Sequence, residues 1–434
     1  MGAWRPVQYL GSKLRTIEHI TAAVDELGAP TTVWEPFTGS TVVAQALAQH
    51  GNRVVAGDAL ASSSLFATAV LGVGRTRTTR IGALAEQALA AVQIPEEFGG
   101  WLSREDSALA AQDGPELLRI GAELPQRWRV TGADSALAAL FTRIDTAAEH
   151  AEHTGTGLLS ATYAGTYFGL RQALALEALR AAIGEVTEPG GWAHSCLCTA
   201  LCHAASTAVF SPGKHFAQPH RIREGKNLGF HAKRALADRS VDIGARFLDA
   251  ARTLEQVAAT GTEGHRAHQA RVEEVTADEL RAWGVRVVYA DPPYTAQQYS
   301  RFYHLLETLV TAVPPKLQTK NGQVTRGLYP EGRYLSPYCS RTKAPGAISE
   351  LARTTAKAGA HLLLSYSTRG GPSTGNARSV TLPELVRRVE EVFGADNVTV
   401  RPLELRYRQF NRTDAEVTGR NDPEYLVLGR ASAC

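Results

Sequence analysis

The four residues Asp291-Pro292-Pro293-Tyr294 follow directly on an apolar run, and they combine an acid, two rigid residues and an aromatic ring. That combination suits an amine. The Asp291 carboxylate and the Pro292 carbonyl can both accept hydrogen bonds from an NH2 group, which draws the nitrogen lone pair out of conjugation with a ring. The same carboxylate stabilises positive charge that develops on nitrogen as it takes up a methyl cation equivalent. Proline has no N–H and a fixed φ, so the pair stiffens the turn and presents that carbonyl. Tyr294 adds a flat face on which an extruded base can stack.

A second group lies near the N-terminus, in Glu35-Pro36-Phe37-Thr38-Gly39-Ser40. A glycine at a strand-to-helix turn lets the backbone approach a ligand closely, and an acid at the end of the next strand can accept both hydroxyls of a ribose. Asp58 lies 19 positions after Gly39, close to the offset of roughly 20 that such a site requires. Thr41 and Ala44 stand where a dinucleotide fingerprint has its second and third glycines, which argues against a pyrophosphate in this turn. A third segment, Gln8-Tyr9-Leu10-Gly11-Ser12-Lys13, sets a glycine turn between an aromatic and a lysine. Such a turn can cover an adenine and hold a carboxylate.

These residues need elements that bring them together. Residues 31–35 read as a short buried strand, Val42–His50 as a helix ended by Gly51-Asn52, and Arg53–Asp58 as the next strand. The unit is β-turn-α-β and ends in an acid. Arg286–Ala290 reads as a strand leading into Asp291, and His361–Tyr366, Val398–Val400 and Tyr425–Leu428 supply further strands. Alternation of strands and helices at both ends of the chain predicts a mostly parallel sheet built from two separated pieces of sequence. The intervening stretch is rich in Ala, Leu, Glu and Arg and reads as helical, as in Arg171–Ile183, where Leu176, Leu179 and Ile183 share one face and Gly184 is expected to end the run.

With 434 residues and 44% hydrophobic content, the chain can bury a core and fits two domains, or one α/β domain with a large insertion. No apolar stretch is long enough for a membrane span, and the first residues lack the apolar core of a signal peptide. Five cysteines, three of them between 196 and 202, do not form a disulfide framework and fit a reducing compartment. The expectation is a cytoplasmic protein with no membrane partner. Net charge is only +3, but 211–234 carries six Lys/Arg against one acid and 315–343 carries the same balance. Two such stretches predict a polyanion-binding face, with Arg221, Arg223, Lys226, Arg326 and Arg333 as its candidates.

Two other clusters have plainer explanations. The run His194-Ser195-Cys196-Leu197-Cys198 with Cys202-His203 lacks the paired spacings of structural zinc and sits in an apolar helical stretch, so small buried cysteines are expected and no metal. His304 and Glu307, one helical turn apart, have the spacing of a proton shuttle; packing and surface contacts are the favoured reading.

The order Tyr9-Leu10-Gly11-Ser12-Lys13, then Glu35-Pro36-Phe37-Thr38-Gly39, then a long insertion, then Asp291-Pro292-Pro293-Tyr294 resembles the DNA adenine methyltransferases of the group that includes the Dam enzyme. The resemblance implies a Rossmann-like, seven-stranded, S-adenosylmethionine-dependent methyltransferase sheet. Residues 1–75 would carry the cofactor motifs, 76–275 a mainly helical target-recognition insertion, and 276–434 the catalytic motif. It implies that Tyr9, Lys13, Glu35, Phe37, Gly39 and Asp58 contact S-adenosylmethionine, and that Asp291, Pro292 and Tyr294 hold a flipped adenine. Arg406–Arg412, ahead of Glu424-Tyr425-Leu426-Val427, resembles that family's closing hairpin near the target base. Thr41 departs from the family's second glycine. The expected partner is double-stranded DNA, with a restriction enzyme or defence-system protein as a possible companion.

An Asp at the first position of the motif favours adenine over the cytosine amino group, whose enzymes in the resembling families usually carry Ser there. No Pro-Cys pair occurs in the chain, which leaves no obvious thiolate for cytosine C5 chemistry. Two alternatives stay open: the same motif acting on adenine in RNA or on an amide nitrogen, and a DNA-binding protein with a vestigial cofactor site.

Overall fold

The computed structural model describes residues 3–76, 78–94, 98–129, 135–153, 155, 157–222, 227–257, 264–368, 377–403 and 424–432. Among the described residues seven strands form one sheet: β1 (Thr32–Glu35), β2 (Arg53–Asp58), β3 (Arg266–Gln269), β4 (Val287–Ala290), β5 (His361–Ser367), β6 (Val398–Leu403) and β7 (Glu424–Gly429). Their spatial order is β3-β2-β1-β4-β5-β7-β6. Neighbours from β3 to β5 pair in parallel, and β7 runs antiparallel between β5 and β6. The expected mostly parallel, seven-stranded α/β sheet is therefore present.

β1 and β4 carry near-continuous apolar runs because both faces of the sheet are covered. Side chains alternate between the two faces. Val33, Val54 and Val287 join one core, which continues into Leu197, Ala200 and Leu201 of the helix Trp192–Ala208. Trp34, Val55 and Val288 join the other, packed by Ile348 and Leu351 of the helix Ala344–Lys357 and by Leu385 and Val389 of the helix Leu382–Phe393. The helical stretch between β2 and β3 thus shares a core with one face of the sheet. Within it the helix Leu170–Val186 buries Leu176, Leu179 and Ile183, as its spacing predicts, and runs on past Gly184.

The stretch 76–275 is mainly helical but not wholly so, since β3 lies inside it and adds an edge strand beside β2. Its residues Arg266-Ala267-His268-Gln269 are half exposed and polar, so no apolar alternation marks them. A second short element lies in the later basic stretch, where Thr319–Lys320 pairs antiparallel with Gln323–Val324. Asn321 and Gly322 turn it, both at positive φ, as the two-residue hairpin turn requires.

The chain runs outward from β1 through β2 to β3, and in the opposite direction from β4 to β5. The direction switches between β1 and β4, and open α/β sheets bind ligands at the carboxyl ends of the strands flanking such a switch. Glu35 ends β1, Asp58 ends β2 and Asp291 follows β4. Three acids from distant parts of the sequence therefore meet along one edge.

Candidate active site

The strand ends open on a solvent-facing cavity lined by Tyr9, Lys13, Glu35, Phe37, Gly39, Asp58, Asp291 and Pro293, among others. All six residues expected to contact the cofactor line it, together with the first residue of the catalytic motif. Pro292 and Tyr294 line an adjoining cleft of about 220 Å³ with Tyr338 and Tyr366.

On the β1–β2 side the turn after β1 is shaped by close approach. Gly39 has φ +46°, and a Cβ there would lie 2.7 Å from the Tyr9 ring. Its N–H donates to Asp58 Oδ2 (3.0 Å), and the Leu60 N–H donates to Asp58 Oδ1 (2.9 Å). Each carboxylate oxygen retains a lone pair beyond these bonds, so Asp58 both pins the turn and lines the cavity. Burial lifts its pKa to about 6, against the lowering effect of the Leu60 and Gly39 N–H groups. Glu35 is buried, accepts from Thr38 Oγ1 (3.1 Å), and is raised well above the usual carboxylate range by burial. Thr41, at the start of the helix Val42–Gln49, takes φ +67°. A β-branched residue rarely adopts that conformation. The site still has the backbone shape that a second glycine would supply.

The N-terminal segment is held from below by the helix Ser300–Thr311. The Tyr9 ring stacks on Tyr303 with centroids 4.4 Å apart and planes 2° from parallel, and the Leu10 N–H donates to Tyr303 Oη (2.8 Å). Phe37 meets Tyr338 edge to face at 5.1 Å. His304 and Glu307, on the same helix, pack rather than face the cavity's acids. His304 Nε2 bonds the Phe216 carbonyl oxygen (2.9 Å), and burial pulls its pKa down to about 3. Glu307 accepts from the Ala61 and Ser62 N–H groups (3.0 and 2.8 Å), capping the helix that follows Asp58.

The β4 side is organised around Lys13, which is only 4% exposed. Its ammonium donates to Tyr294 Oη (3.1 Å) and Glu424 Oε2 (3.3 Å) and lies 3.1 Å from Asp291 Oδ1. Burial alone would lower the lysine pKa, but Asp291, Tyr294 and Glu424 outweigh it and hold the ammonium charged. The approach to Asp291 Oδ1 is a buried ion pair, while the Asp291 side chain as a whole is 20% exposed. Burial raises the Asp291 pKa to about 6 against the pull of Lys13. The exposed part of this carboxylate lines the cavity, where it can accept from an N–H donor. The Arg378 guanidinium lies 4.7 Å from the Tyr294 centroid, over one face of that ring.

Glu424, at the first position of β7, is read from sequence only as part of the segment that resembles the family's closing hairpin, with no role of its own. It lies 411 positions from Lys13, and the antiparallel pairing of Glu424 with Ser367 brings it to this edge.

The two basic stretches meet. The Arg326 guanidinium donates to the Pro219 carbonyl (3.4 Å), Tyr329 Oη to the Ala217 carbonyl, and Tyr167 Oη to the carbonyls of Phe216 (2.7 Å) and Gly327 (3.1 Å). Arg221 and Arg326 are exposed and form no ion pair among the described residues. Arg333 is half-buried, 4.8 Å from the Tyr329 centroid and bonded to Ser300 Oγ (3.3 Å). Arg223 and Lys226, and the segment 406–412, lie outside the described residues. Two other cations of the first stretch, Lys214 and Arg234, share one carboxylate, that of Asp238. Cys196, Cys198 and Cys202 are buried in the helix Trp192–Ala208, as the apolar run around them predicts. None of the described helices is long and apolar enough to cross a membrane.

The sheet order, with acids at the carboxyl ends of β1, β2 and β4, is that of a Rossmann-like methyltransferase fold. Comparison with known proteins agrees. Residues 9–97 match the family described as D12 class N6 adenine-specific DNA methyltransferase. The modification methylase LlaI of Lactococcus lactis subsp. lactis is 31% identical over 133 residues, 31% of this chain and 18% of that protein. The type II methyltransferase M.FokI of Planomicrobium okeanokoites is 36% identical over 85 residues, 19% of this chain and 12% of the relative. The type II methyltransferase M.NlaIII of Neisseria lactamica is 27% identical over 158 residues, 36% of this chain and 39% of the relative. The matched chain spans 39% or less of the length of each. Over these residues the chain is similar to DNA adenine methyltransferases, the family that the motif order resembles.

Proposed function

We propose that the protein transfers a methyl group from S-adenosylmethionine to the exocyclic amino group of an adenine flipped out of duplex DNA. The observation that carries this reading is the Asp291 carboxylate, paired with Lys13 and still 20% exposed, in the wall of the cavity that Glu35, Gly39 and Asp58 also line. The residues fit the cofactor: Gly39 lets the Tyr9 ring close on the turn that lines the cavity, and Asp58 has acceptor capacity toward the cavity for ribose hydroxyls. Tyr9, Phe37 and Glu35 line the same space and Lys13 holds the acidic wall. When bound, S-adenosylmethionine supplies an electrophilic methyl group on a sulfonium.

The chain's own part is positioning and charge. Asp291 accepts from the adenine amino group together with the Pro292 carbonyl, localising the lone pair on nitrogen. As positive charge develops there, the carboxylate stabilises it in a site largely shielded from water. Tyr294 offers the base the ring face opposite Arg378, and the paired prolines hold the acceptor carbonyl still. Arg221, Arg326 and Arg333, with Arg223 and Lys226, supply phosphate or base contacts on duplex DNA. The setting is restriction-modification or phage defence, with a cognate nuclease or defence protein as partner and the cytoplasm as compartment.

The test is to incubate the protein with labelled S-adenosylmethionine and duplex DNA, single-stranded DNA or RNA, then digest to nucleosides. N6-methyladenine from duplex DNA is expected. Label confined to RNA, or to the protein, would replace the substrate, and no transfer to any of them despite cofactor binding would leave a DNA-binding protein.

A further inference from the structure

A groove opens beside the strand-end cavity, and the two share Ala59, Leu60, Ser300 and Tyr334. Its walls carry three cations, Arg271, Lys316 and Arg333, and three acids, Glu274, Glu307 and Glu331. The acids are engaged. Glu274 pairs with Arg271 (3.7 Å), Glu331 pairs with Lys316 (3.7 Å), and Glu307 caps the Ala61 and Ser62 N–H groups. Arg333 is left without an ion-pair partner among the described residues. Its guanidinium donates to neutral acceptors: the Pro330 carbonyl (3.2 Å), Ser300 Oγ (3.3 Å) and Gln318 Oε1 (3.3 Å).

A second such cation stands next to it. The Arg301 guanidinium donates to Tyr329 Oη (3.0 Å) and lies 5.0 Å from the Tyr329 ring centroid, against 4.8 Å for Arg333. It too forms no ion pair among the described residues. One ring therefore gathers two half-buried guanidinium groups, and burial together with the Arg301 charge pulls the Arg333 pKa down. Like charges gathered partly out of water repel, and a bound anion relieves that cost.

We infer that Arg301 and Arg333 form a clamp for one phosphodiester of the DNA strand whose adenine enters the cavity. The inference rests on the proposed function. A phosphodiester offers charged oxygens that match the forked donors of guanidinium groups. The location also suits the strand. Ser300 lines the cavity and accepts from Arg333, so the clamp lies one hydrogen bond from the cavity wall. A base extruded into that cavity brings its flanking phosphates to the mouth. Tyr329 Oη donates to the Ala217 carbonyl and Arg326 to the Pro219 carbonyl, which ties the clamp to the loops of the basic face. Arg301 lies outside both basic stretches of the sequence, so charge counting passes over it.

The experiment uses the whole chain and duplexes centred on the adenine that the parent methylates, with one phosphodiester at a time replaced by an uncharged methylphosphonate. In the parent, a position flanking that adenine on its own strand should weaken binding about 10-fold or more, the cost of a lost charge-assisted contact. Arg301→Gln and Arg333→Gln should each weaken binding to the unmodified duplex about 10-fold and flatten its salt dependence by about one unit of slope. In both variants the sensitive methylphosphonate should then cost less than about 3-fold, because its partner is already gone. Arg301→Lys should restore the salt slope, which a role confined to packing Tyr329 would not do. Circular dichroism melts check that the variants fold, and the parent scan needs no variant. Equal methylphosphonate penalties in parent and folded variants would overturn the inference, as would a parent indifferent to every position. Inorganic phosphate raising the melting temperature of such an indifferent parent would make this a site for free phosphate instead. A parent that methylates no adenine, yet whose binding to a mixed-sequence duplex loses about one unit of salt slope in both Gln variants, would keep the phosphate site and fault the functional reading.

Discussion

The cavity and the basic face are built on opposite plans. In the cavity, charged groups are buried and most of their hydrogen bonds are made before any ligand arrives: Asp58 holds two backbone N–H groups, Glu35 holds Thr38, and Lys13 is shared among three partners. On the basic face, Arg221 and Arg326 are exposed on loops, and the neighbouring loop segments are joined by tyrosine hydroxyls bonded to carbonyls. A site that must act on one atom is held rigidly by buried bonds. A surface that meets a repeating polyanion needs only to hold charge near the right place, because phosphate contacts position the duplex and tolerate adjustment.

If that contrast holds, single changes in the cavity have large and specific effects, and changes on the face have graded ones. Asp291→Ala should have the largest effect, lowering transfer by on the order of 100-fold or more with cofactor affinity kept; single-turnover methylation and calorimetric titration measure the two parts. The same group gives a pH signature. Because its pKa is raised to about 6 and the ionised form is the acceptor, the single-turnover rate should be full above that pH and decline as pH falls through it. A profile flat to well below that point in the parent would break the assignment of the acceptor.

Asp58→Ala comes next. If Asp58 bonds the ribose as proposed, its loss should weaken S-adenosylmethionine binding by roughly 1.5–3 kcal/mol, read by titration. Since Asp58 also ties the Gly39 N–H, a thermal melt on the same variant separates loss of affinity from loss of the turn. Affinity equal to the parent's would move the ribose site elsewhere along the cavity.

On the face, Arg221 and Arg326 replaced together by Ala should weaken duplex binding and flatten its salt dependence by about one unit of slope for each phosphate no longer neutralised. Comparing cognate and scrambled duplexes sharpens this: equal weakening on both marks phosphate binding, and weakening on the cognate duplex alone marks base reading. Binding like the parent's at every salt concentration would mean that these loops are merely solvated.

The smallest effect is expected at Thr41. Its left-handed backbone is a strained state for a β-branched residue, but Thr41→Gly adds unfolded-state entropy and removes the bond between Gln45 Nε2 and Thr41 Oγ1. Relief and loss nearly offset, so stability should change by about 1 kcal/mol or less, measured by denaturant titration. A loss of several times that size would show that the hydroxyl's hydrogen bonds, not the backbone shape, hold the turn.

What could be read from the sequence was whatever a short run of residues dictates by itself. Asp58, Glu35 and Asp291 each end an apolar strand, so their place at a sheet edge follows from strand direction and the chemistry of one motif. The Cys196–Cys202 run likewise declared itself buried by its apolar neighbours. The edge strand β3 did not, because an exposed strand of Arg, Ala, His and Gln has no hydrophobic alternation to betray it. The Asn321-Gly322 turn is a local hairpin signal that lay within the sequence all along. Only the tertiary structure could decide the rest. Sheet order put β1 beside β4, antiparallel pairing with β5 brought Glu424 to Lys13, and tyrosine bonds joined basic loops about a hundred residues apart. Local sequence fixes strands and turns through backbone and burial preferences, whereas the partner of a charge buried among distant segments is set by how whole elements pack.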